Sequence, residues 1–173
     1  HLEQISRNLL SGATNAFSEK CGTTLCSIDK KETTVAEAAQ KYRDAVGGSF
    51  IVAEENYGEG SSREHAAMEP RFLGVRFVLA KSFARIHETN LKKQGVLALT
   101  FEHPSDYQKI AEGDTACVCG IEDFTPESSI EIIITHATGD TERIKALHTY
   151  NATQIELFKH GSALNAMRAT MGN

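Results

Sequence analysis

The chain has 173 residues, 40% of them hydrophobic and 24% charged, with a formal net charge of −5. That length supports one domain with a real core and needs no disulfide staples. The acidic balance argues against a nucleic-acid or anionic-membrane partner, and no apolar run approaches a membrane span. The longest such run, Ile130 to Ile134, is interrupted by Glu131 and reads as a strand.

The chain starts at His1 with no signal-like segment after it, which reads as a fragment or a processed product of a longer polypeptide. Leu2, Ile5, Leu9 and Leu10 recur at helical spacing. Residues 13–31 show no period and are expected to be a loop. Thr33 or Thr34 caps a helix carrying Val35, Ala38, Ala39 and Tyr42, which Gly47-Gly48 stops. Phe50 to Ala53 is a strand, and a helix begins at Ser61 and ends near Gly74, bent or broken by Pro70. Val75 to Ala80 is the next strand. Ser82 caps a helix with Phe83, Ile86 and Leu91, closed by Gly95, and Val96 to Leu99 is a third strand. Strand–helix–strand–helix–strand over residues 50–100 predicts a parallel βαβ core.

After residue 100 the pattern changes. A helical turn over 106–110 precedes strands over 114–119, 129–136 and 144–147. Thr138-Gly139-Asp140-Thr141 is a hairpin turn. Residues 153–158 form a closing helix, followed by a short one over 162–171. The fold class is therefore α/β: a βαβ core in a mixed sheet, with an added antiparallel portion, all within one domain over 1–173.

Chemistry concentrates in Asn56-Tyr57-Gly58-Glu59-Gly60-Ser61-Ser62-Arg63-Glu64-His65. Ser61 and Glu64 fit a capping box, and Gly58 and Gly60 permit a tight turn. The same junction offers free N–H groups, two hydroxyls and the Arg63 fork to a carboxylate. No Gly-Lys-Ser/Thr phosphate loop and no G-x-G-x-x-G fingerprint is present. Ser61 and His65 are spaced to meet on a helix, but no acidic residue is identifiable to orient the histidine as a hydrolase requires.

Cys21, Cys26, Cys117 and Cys119 have neither zinc-ribbon nor ferredoxin spacing and are expected to be reduced and structural; a Cys21–Cys26 disulfide is the alternative. Cys117 and Cys119 are expected on one strand face. His87 reads as a packed or surface helix residue, and His103, His136, His148 and His160 share no metal-ligand spacing. No metal-binding residue is expected in this chain.

Residues 55–67 resemble the serine-arginine loop of mitochondrial-type aconitases. Lys81-Ser82-Phe83-Ala84-Arg85-Ile86-His87-Glu88-Thr89-Asn90 through Gly95 is similar to the helix that follows it. The stretch from Asn151 to Asn165 resembles the family's C-terminus, and His1 to Ser6 its domain entry. The resemblance covers essentially the whole chain and implies the C-terminal swivelling domain of an aconitate hydratase. That family interconverts citrate and isocitrate through cis-aconitate. It uses a 4Fe–4S cluster held by cysteines of other domains, which are absent from this chain.

By the resemblance, Ser61 is the base that removes the carbon-bound proton, and Ser62 and Arg63 bind substrate. The implied partners are the tricarboxylate and the remaining aconitase domains, the implied location is the mitochondrial matrix, and the isolated domain is expected to be inactive. A family arginine precedes the position of His1. Ala98 replaces a usual proline, Glu54 replaces a common aspartate, and residues 17–31 diverge, which together mark a divergent paralogue. The alternatives are a hydro-lyase acting on homocitrate and a non-catalytic aconitase-like protein that binds RNA or another partner.

Overall fold

The structure is a computed structural model and describes residue 10 and residues 13–59 and 65–160. It opens with an antiparallel hairpin of β1 (Thr23–Cys26) and β2 (Lys31–Thr34), separate from the main sheet. The loop expected over 13–31 thus contains a strand. Its pattern was illegible because only Cys26 is fully buried, while Leu25 points outward, so the usual apolar alternation is missing.

Helix α1 (Val35–Val46) follows at once. Thr34 Oγ1 accepts from the Glu37 amide at 3.2 Å, and Gly47 ends the helix in the left-handed region at φ 89°. Ala36, Ala38 and Ala39 form its buried stripe, and small side chains let the helix lie close to the sheet.

The main sheet contains β3 (Ser49–Ala53), β4 (Val75–Ala80), β5 (Leu97–Phe101), β6 (Thr115–Cys119), β7 (Ile130–Thr135) and β8 (Thr141–Leu147), in the order β3-β4-β5-β8-β7-β6. The first three are parallel, linked through α2 (His65–Phe72) and α3 (Arg85–Lys93). β8, β7 and β6 continue the sheet antiparallel. This is the mixed sheet expected from the sequence.

Burial explains the two halves. β4 is apolar and covered along nearly its whole length, as a central parallel strand must be. β7 alternates buried and half-buried residues, which fits a sheet packed on one side. Val78 and Ala98 face a core with Ala36, Ala39, Ala67 and Leu91 from the three helices and Leu73 just past α2. Their neighbours Phe77, Leu79, Leu97 and Leu99 face the opposite core, with Ile132, Ile134, Ile144 and Phe124. Ile155 and Phe158 of α4 (Ala152–His160) close that second core, as the sequence predicts.

One local expectation is narrowed and one needs correction. Pro70 lies inside α2 and does not break it; the helix runs on to Phe72, and the Leu73 amide still bonds Glu69 O at 3.1 Å. Ser82 does not cap α3. That helix starts from Ala84 without a side-chain cap, and the Ser82 hydroxyl is used elsewhere. The helices expected over residues 2–10 and 162–171 lie outside the described residues, apart from residue 10.

Candidate functional site

The parallel strands β3 and β4 do not separate where their regular pairing ends. The Lys81 amide bonds Ala53 O at 3.2 Å and Glu54 O at 3.1 Å. The Asn56 amide donates to Ser82 Oγ at 2.8 Å, and the Tyr57 amide to Ser82 O at 3.0 Å. The Ala84 amide returns a bond to Tyr57 O at 2.9 Å. Residues 81–84 therefore hold the segment 54–57 in place, and the Ser82 hydroxyl that looked like a helix cap secures the loop.

Beyond this clamp the chain turns sharply. Asn56 adopts φ 55° and Gly58 φ 91°, and the Glu59 amide bonds Asn56 O at 3.0 Å. Asparagine and glycine are the residues that tolerate such angles. Tyr57 packs edge-on against Phe83 at 6.0 Å and against His87 at 5.3 Å. Burial pushes the Tyr57 phenol well above its ordinary range, with Glu69 adding to the shift, so it stays a neutral packing group.

His87 is 3% exposed, on the first turns of α3. Burial depresses its pKa, so the ring is neutral at physiological pH. A Cβ at Gly58 would overlap Cβ, Cγ and Cδ2 of His87, so only glycine fits over this ring. Of the packed and surface readings of His87, the structure selects the packed one. What the sequence did not show was its place under the turn; the signal available was Gly58, where glycine serves both the positive φ and the close approach.

The turn projects from the C-terminal ends of the parallel strands, the edge where open α/β sheets carry ligands. Lys81, just past β4, holds its Nζ 4.7 Å from the Tyr107 ring centroid. Burial and nearby Glu54 both raise the Tyr107 pKa. Past β5, Glu102 lies 3.8 Å from Lys145.

Ser61, Ser62 and Arg63 lie outside the described residues, as do Gly60 and Glu64. The structure describes the approach to them through Glu59 and resumes at His65, where α2 begins. The capping-box and Ser61–His65 readings therefore rest on the sequence.

The four cysteines form no disulfide. Cys21 is exposed and Cys26 buried at the hairpin, whereas Cys117 and Cys119 share a face of β6. Burial raises the Cys119 thiol pKa, with Cys117 adding to the shift. Among the described residues no three His, Cys, Asp or Glu side chains converge as metal ligands. A 4Fe–4S cluster therefore does not fit the described part of this chain. His136 lies between Asp114 and Glu142, while His148 packs on Phe124 at 4.5 Å, so the histidines are not brought together. Among the described residues no helix is long and apolar enough to cross a membrane.

Comparison with known proteins finds relatives over nearly the whole chain. The family profile described as the aconitase C-terminal domain matches residues 1–104. A probable mitochondrial aconitate hydratase of Dictyostelium discoideum is 49% identical over 170 residues, covering 98% of this chain and 22% of that protein. The mitochondrial aconitate hydratase of Gracilaria gracilis is 44% identical, over 99% of this chain and 22% of its own length. A mitochondrial homocitrate dehydratase of Saccharomyces cerevisiae is 45% identical, over 95% of this chain and 21% of its own length. The chain thus spans about a fifth of the length of these relatives. A likeness that extends from the first helices through the antiparallel half places the chain in the aconitase C-terminal domain family.

Proposed function

We propose that this chain acts, as one domain of a longer polypeptide, in an aconitate hydratase that interconverts citrate and isocitrate by dehydration and rehydration. The observation that carries the reading is the likeness to aconitate hydratases over 98% of the chain, which includes the whole turn from Glu55 to His65. The clamp between residues 54–57 and 81–84 supports it, because a base must leave a rigid scaffold in a fixed direction.

In this proposal Ser61 takes the carbon-bound proton, and Ser62 and Arg63 hold a substrate carboxylate. A serine hydroxyl is a weak base, so its alkoxide needs N–H donors and the Arg63 cation nearby. Proton removal by a positioned base contributes roughly 10²–10⁴-fold. In this proposal the 4Fe–4S cluster is held by cysteines of the other domains, as the resemblance implies. The mitochondrial matrix is the proposed location, from the names of the relatives.

Replacing Ser61 with alanine in the full-length protein tests this reading. Substrate affinity should persist while turnover falls by two or more orders of magnitude. Turnover near the wild-type rate would remove Ser61 from the role of base. A second reading, dehydration of homocitrate, is favoured by the 45% identity to a homocitrate dehydratase. Comparing kcat/KM for citrate and homocitrate on the same enzyme separates the two.

A further inference from the structure

We infer that His87 is a positioning residue for the serine turn, and that its imidazole is kept for a hydrogen bond made in the assembled, substrate-loaded enzyme. This rests on the reading above. Two independent observations carry it. The first is steric: the ring fills the space that a side chain on Gly58 would need, and Tyr57 packs against the same ring at 5.3 Å. His87 is thus the surface on which the turn rests three to four residues before Ser61.

The second is chemical. Nδ1 of His87 is buried and has no hydrogen-bond partner among the described residues, in a side chain only 3% exposed. A buried, unpartnered nitrogen destabilises the fold, and an apolar side chain of similar size would fill the site without that cost. Packing alone therefore does not account for a histidine. The ring sits on the first turns of α3, beside the clamp from which the turn projects, and the inference assigns the missing partner to a polar group of the substrate or of a neighbouring domain. Either source offers an oxygen or an N–H to a neutral imidazole.

The experiment compares His87→Phe and His87→Leu with wild type in the full-length, cluster-loaded protein, reading kcat, KM and Tm; the leucine covers the case in which a six-membered ring crowds Gly58. In at least one variant Tm should hold or rise while kcat falls about tenfold and KM stays within about twofold, the signature of a displaced reacting group. Amide exchange of residues 56–59 should quicken in that variant. Quickening only with citrate present identifies the substrate as the partner, and quickening in both states identifies the neighbouring domain. Wild-type kcat in both variants with Tm held overturns the inference. So does a kcat loss seen only where Tm falls with it, because that is structural damage. Ser61→Ala run in parallel separates the two readings: if it retains turnover, the assignment of the base fails, whereas an inactive Ser61→Ala beside fully active His87 variants sinks the role of His87 alone.

Discussion

The backbone N–H of Ala98 donates to the phenolic oxygen of Tyr150 at 3.1 Å. Tyr150 in turn donates to Val96 O at 3.3 Å. β5 pairs with β8 only at Thr100 and Phe101, so on that side Ala98 has no strand neighbour, and a side chain fills the gap. A proline here, which the resemblance implies is usual, would have no N–H to satisfy. With alanine here, the N–H is met by a hydroxyl 52 positions away. Tyr150→Phe should cost about 1–3 kcal/mol, because it leaves that buried amide unpaired. In an Ala98→Pro background the same change should cost less, and denaturant unfolding of the four proteins in a double-mutant cycle reads the difference.

His136 gives a pH dependence of definite sign. Its Nδ1 lies 2.8 Å from Asp114 and its Nε2 2.6 Å from Glu142, and these two carboxylates raise its pKa in the folded state. A raised folded pKa means the stabilisation is fully present below the unfolded value of about 6.5 and is lost as pH rises through the folded value. Wild type should lose stability relative to His136→Gln on going from pH 6 to pH 9. Equal pH profiles for the two proteins would show that the contacts do not favour the imidazolium.

Gly58→Ala should be among the most damaging single-atom changes in the chain. It places a methyl group on His87 and forces a non-glycine residue to φ 91°. Each such strained residue costs on the order of 1–3 kcal/mol before the clash is added. Adding His87→Ala should relieve the clash and leave the backbone strain, so the double variant should be partly restored in thermal unfolding.

Thr34→Ala should weaken α1 by about 1 kcal/mol, since it removes the oxygen that accepts from the Glu37 amide. Serine at the same position should restore most of the loss, as urea unfolding would show.

The parallel core was legible because each of its strands is a short apolar run and each connection carries a helical period. Val75 to Ala80 matched residue for residue. The β1–β2 hairpin was not legible, because its strands are four residues each and only Cys26 is fully buried. Ser82 misled for a physical reason: a serine ahead of a helical period looks the same whether it caps its own helix or reaches across to Asn56. The turn and its glycines were visible in the sequence, but the ring beneath Gly58 comes from a residue 29 positions later, a separation no local pattern reports.

The most direct test of the central claim is single-turnover proton removal from citrate by the full-length protein carrying Ser61→Ala, with its cluster intact. The account predicts that citrate binds with near wild-type affinity while proton removal slows by about 10²-fold or more. Proton removal at the wild-type rate would contradict it.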